Sequence, residues 1–121
     1  INSQGDIEPC VFCHYAVDNI REKSLKEALS SPFFRYIREQ IPYNENLYRP
    51  CMLVDKPGVS RSAIALFQAK PTHPGAEAMF TELAGEIDQF SCAYAEISDP
   101  IWEQEKEKIM AAKSQVELAR H

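Results

Sequence analysis

Apolar residues recur with helical spacing over two long stretches. In SLKEALSSPFFRYIREQ, residues 24–40, Leu25, Leu29, Phe33 and Ile37 are four apart and share one helical face. Ser24 with Glu27 three residues later forms a capping box, which opens a helix over 24–30. Pro32 behind Ser31 starts a second helix over 32–40, since proline fits the first helical position. From Ala76 the pattern strengthens. Phe80, Leu83, Ile87, Phe90, Tyr94 and Ile97 alternate spacings of three and four, the seam of two packed helices. Asp99 and Pro100 read as the cap and first residue of a further helix, in which Trp102, Ile109 and Val116 are seven apart. The expectation is an antiparallel helix pair over 76–118.

The remainder lacks helical period. Residues 2–9 and 14–20 read as two short strands of a hairpin, with Gly5 in a turn and Cys10 and Cys13 at the tip. Residues 41–59 hold three of the eight prolines and form a long irregular loop around Cys51, of the kind that is functional or disordered. A short helix is expected at 60–68 and a break at KPTHPG, residues 70–75. The fold class is therefore α+β and mostly helical: a small N-terminal β-hairpin with packed helices, then the C-terminal helix pair. The boundary is placed between 1–58 and 59–121.

The 121 residues are 45% hydrophobic and 26% charged, which fits a folded chain with a modest core. A net charge of −5 disfavours nucleic acid, whose partners present a clustered basic face. No apolar run approaches the roughly 20 residues of a membrane span. The start, INSQGDIEPC, has neither the basic nor the apolar region of a secretory leader, and it lacks an initiator Met. A fragment or a processed chain is expected, in the cytoplasm.

In a reducing compartment, a close cysteine pair is more often metal-binding or redox-active than a structural bridge. Cys10 and Cys13 are such a pair, because a tight turn aims both sulfurs one way. Cys51 follows Pro50, and Cys92 lies in the helical half. Cys92 is about 200° from Phe90 around a helix. With Ala78 and Gly85 it forms a stripe of small residues expected to permit close helix contact. His14 would point away from Cys13, since adjacent strand residues face opposite sides. His73 reads as a loop residue and His121 as a disordered terminus. Glu77, Glu82, Glu86 and Asp88 read as solvated helix faces. No nucleophile constellation or glycine-rich phosphate loop is present.

GDIEPC, the following VDNIREKSLKEAL and the later RPC together resemble the auxiliary-cluster domain of radical SAM enzymes, of SPASM or the shorter twitch type. The resemblance covers about residues 3–56. It implies a [4Fe-4S] cluster, with Cys10 as the ligand of the G-x4-C element and Cys51 as the ligand after the gap. It implies for Gly5 a positive φ or close backbone approach that excludes a side chain. Cys13 is not part of the usual pattern and is carried as the additional candidate. The family's upstream cysteine would precede Ile1, and the dense C-x2-C-x5-C-x3-C run of a full SPASM domain is absent.

The resemblance further implies a partner, the N-terminal radical SAM barrel of the same protein, which would bind S-adenosylmethionine. The C-x3-C-x2-C motif of that chemistry is not in this sequence, so the chain is not expected to be catalytic by itself. Two alternatives use the same residues differently: a zinc-stabilised binding module, and a metal-free helical protein-interaction domain.

Overall fold

The structure, a computed structural model, describes residues 1–120. Its elements are β1 (Tyr15–Ala16), α1 (Leu25–Leu29), α2 (Pro32–Glu39), α3 (Pro57–Phe67), β2 (Lys70–Pro71), a 3-10 helix (Ala76–Phe80) and α4 (Ala84–Ala119). The mostly helical α+β class is as expected. The N-terminal hairpin closes through an antiparallel bridge between Asp6 and Asn19, with Ile7 N–H on the Asp18 carbonyl at 2.9 Å and Ile20 N–H on the Gly5 carbonyl at 2.8 Å. Its returning limb, β1, pairs antiparallel with β2, Tyr15 opposite Pro71. The break at 70–75 thus supplies a strand.

Local chemistry starts the first two helices. Ser24 N–H donates to Glu27 Oε2 at 2.9 Å, and Glu27 N–H donates to Ser24 Oγ at 3.2 Å. Ser31 Oγ accepts from Phe34 N–H at 3.4 Å, with Pro32 at the first position. The four-residue spacing across both helices does not make one buried face. α1 and α2 are separate helices, so their phases are independent: α1 buries Ala28 while Leu25 and Leu29 stay exposed, and α2 buries Phe33, Phe34 and Ile37.

One core joins Ile7, Cys13 and Tyr15 of the hairpin, Phe33 and Ile37 of α2, Met52 and Leu53 of the loop, and Val59, Ala63 and Ala69 around α3. Elements on both sides of residue 58 therefore share it.

The antiparallel pair over 76–118 is instead one helix, α4, with Pro100 inside it. Asp99 does not cap a new helix. Its carboxylate accepts Asn46 Nδ2 at 2.7 Å and stands 3.9 Å from Arg49 Nη1. Proline within a helix costs about 3 kcal/mol. Anchors on both sides of Pro100 offset that cost: Ser98 is bonded to Asn46, and Trp102 is buried against Tyr48. The apolar seam also has a different fate. The buried face of α4 is Ser91, Ser98 and Trp102, whereas Phe90 and Ile97 are 55% and 66% exposed. Gly85 has open space about its Cα and Cys92 is exposed, so the small-residue stripe makes no close helix contact among the described residues.

Candidate metal centre

The hairpin presents the first two cysteines. Gly5 has φ +90°, and a Cβ there would meet Asn19 Oδ1 at 2.8 Å, which gives the physical reason for glycine. Asn19 locks the base by donating from Nδ2 to the Gln4 carbonyl and to Asp6 Oδ1, each at 3.1 Å. At the tip, Cys13 N–H donates to the Cys10 carbonyl at 3.1 Å. That turn leaves Val11 and Phe12 in solvent and folds Cys13 into the core, 2% exposed.

Cys51 sits in a second turn. Its N–H donates to Asp55 Oδ2 at 2.9 Å, and its carbonyl accepts from the N–H groups of Asp55 and Lys56 at 3.0 and 3.1 Å. Leu53 N–H points at Cys51 Sγ, 3.4 Å away. An amide directed at sulfur stabilises a thiolate and tunes an iron–sulfur centre. The Tyr15 N–H does the same for Cys13.

The two turns border one core. Cys10 and Cys51 are half-buried and pack on the core cluster that contains Cys13. Burial pushes the Cys13 thiol up to about 12, and negative charge on Cys10, Glu8 and Cys51 acts in the same direction. Tyr43 is raised too, by burial and then by Cys10 and Cys51. Tyr43 packs against that same core cluster. Cys92 is exposed on α4. Among the described residues no three His, Cys, Asp or Glu side chains are grouped to hold one metal ion. Thiolates of a four-iron cluster each bond a different iron, so they stand apart rather than converging on a point.

Residues 1–53 match the SPASM family, an iron-sulfur cluster-binding domain. The match agrees with the resemblance seen over about residues 3–56. The matched segment contains Cys10, Cys13 and Cys51 and ends two residues after Cys51; Cys92 lies outside it. Members of the matched family bind iron–sulfur clusters. No curated protein and no solved structure matches the chain. Among the described residues, no helix is long and apolar enough to cross a membrane.

The donor set of the matched segment fits an iron–sulfur cluster. Soft thiolates suit iron–sulfur clusters, and two of the three sulfurs face backbone N–H groups. His14 turns away from the cysteines to Glu8, with Nδ1 3.4 Å from Oε1. The same Glu8 oxygen accepts the Thr72 hydroxyl. His73 lies in the loop after β2, its ring centroid 5.4 Å from that of His14. His121 lies outside the described residues. Glu8 is the carboxylate that acts on Cys13; Asp6 accepts from Asn2 and Asn19, and Asp18 pairs with Lys23 at 2.7 Å. The sequence reasoning missed Tyr43 and Asp55. Asp55, four residues after Cys51, carried a signal, since Asp accepts from nearby backbone N–H groups in turns.

Proposed function

We propose that the chain is the auxiliary [4Fe-4S] domain of a radical SAM enzyme, with Cys10, Cys13 and Cys51 as ligands. Residues 1–58 carry the ligands, and 59–121 complete the core and brace it. The observation that supports this reading is that the hairpin turn and the RPC turn border one core and both lie in the matched segment. When bound, the cluster supplies an electron reservoir and, where one iron lacks a thiolate, a position for substrate. Three thiolates from this chain leave one such position, or a place for a cysteine preceding Ile1. A radical SAM barrel of the same protein would be the partner and the site of S-adenosylmethionine.

The chain's own residues shape the site. Cys13 gives up a tightly held proton on ligation, so loading is pH-dependent. Leu53 and Tyr15 N–H groups stabilise the sulfur charge. Burial of Cys13 keeps water from one side of the site.

The test is anaerobic reconstitution of the full-length chain with iron and sulfide. About four irons per chain and broad absorption near about 400 nm are expected. Cys10→Ala and Cys51→Ala each lower the iron content, and Cys92→Ala leaves it unchanged. Stoichiometric zinc with no iron uptake and no colour would replace this reading with the zinc-stabilised module.

A further inference from the structure

The helix α4 lies wholly outside the matched segment, yet the loop bearing Cys51 is fastened to it. The Asp55 carboxylate holds the Cys51 N–H, and the Asp55 carbonyl accepts Arg49 Nη2 and Ser91 Oγ, each at 3.0 Å. Ser91, buried on α4, also receives Arg49 Nη2 on its Oγ at 3.3 Å. Two turns along, Ser98 Oγ accepts from Asn46 Nδ2 at 3.2 Å. Four residues further, Trp102 packs edge-on against Tyr48, with centroids 5.6 Å apart. Ser91, Ser98 and Trp102 are the whole buried face of α4, and each touches the loop before or after Cys51.

Residues 40–56 contain no helix or strand, so beyond their own turn hydrogen bonds they depend on anchors outside the loop for their order. A buried serine whose hydroxyl is spent on a loop carbonyl is poor helix packing and good loop anchoring. We infer that α4 positions Cys51: Ser91, with Arg49, holds the Asp55 turn that presents the sulfur, and Ser98 and Trp102 fix the loop leading to it. This rests on the reading of Cys51 as a ligand, and it makes Ser91 a positioning residue.

The test begins with hydrogen exchange on the metal-free full-length chain. Ser91→Ala should speed exchange of the Cys51, Asp55 and Lys56 amides about tenfold, equivalent to about 1.4 kcal/mol. The hairpin amides of Ile7 and Ile20 should be unchanged, which a general loss of stability would not leave so. Ser91→Thr, which keeps the hydroxyl, should restore slow exchange. In the loaded protein, Ser91→Ala should lose iron to a chelator faster than wild type and Ser91→Thr should not. If Ser91→Ala does not fold, Ser98→Ala reads the same selectivity at the Tyr48 and Arg49 amides. Unchanged loop exchange, or equal acceleration in hairpin and loop, would overturn the inference. Because the exchange is read without metal, a wild-type chain that takes up no iron defeats the cluster reading instead.

Discussion

Replacing Gly5 by alanine tests the link between one backbone conformation and the cysteine pair. With φ at +90°, any side chain is strained, at about 1–3 kcal/mol. The new Cβ would also meet Asn19 Oδ1 at 2.8 Å and Ile20 Cγ2 at 3.1 Å. Asn19 cannot yield freely. Its Oδ1 accepts from Arg21 N–H at 3.0 Å, and its Nδ2 donates to Gln4 and Asp6. Each hydrogen bond lost costs about 1 kcal/mol. Alanine restricts the unfolded chain, which returns about 0.4–1 kcal/mol. The net loss is about 2–4 kcal/mol, a large part of the 5–15 kcal/mol typical of a folded domain.

Gly75 is the internal control. It has φ +83°, but a Cβ there has nothing within 4 Å. Gly75→Ala therefore carries the conformational cost without the clash. Urea unfolding of both variants should show Gly5→Ala less stable than Gly75→Ala by about 1–2 kcal/mol. After reconstitution, iron retention should fall only in Gly5→Ala, because its hairpin carries Cys10 and Cys13. Equal destabilisation by the two substitutions would refute the role given to the Asn19 contact.

Glu27 has its carboxyl held below the usual range by the Ser24 hydroxyl and then by the Ser24 N–H. A lowered folded value contributes stability above the unfolded value of about 4.3 that is lost as pH falls through the folded one. Amide exchange in α1 should therefore accelerate as pH falls below about 4 in wild type relative to Glu27→Gln; parallel profiles would refute this. Cys13 has the opposite sign: its value is raised from 9.0 to about 12, so the metal-free fold keeps that contribution below pH 9.0 and loses it on the way to 12. Urea midpoints of the metal-free chain should drop between pH 9 and 10.5 more steeply in wild type than in Cys13→Ala. Identical slopes would show that the thiol is not held neutral by burial.

The features legible in the sequence are those decided within a few residues. Ser24 with Glu27, and Ser31 with Pro32, specify helix starts because donor and acceptor lie one turn apart. Gly5 was legible through the family pattern, as was the pairing of Cys10 with Cys51 as candidates. The continuous α4 was not legible. Asp99–Pro100 has the local chemistry of a helix start, and the groups that override it, Asn46 and Tyr48, lie about fifty residues away. The buried face of α4 was hidden for the same reason. Apolar spacing pointed to Phe90 and Ile97, but the loop's carbonyls and amides, brought up by the fold, drew in Ser91 and Ser98 instead. Hydrophobic periodicity reports which side chains avoid water, while a buried hydroxyl is chosen by the polar group it meets, a backbone carbonyl for Ser91 and the Asn46 side chain for Ser98, and only the tertiary structure brings that group there.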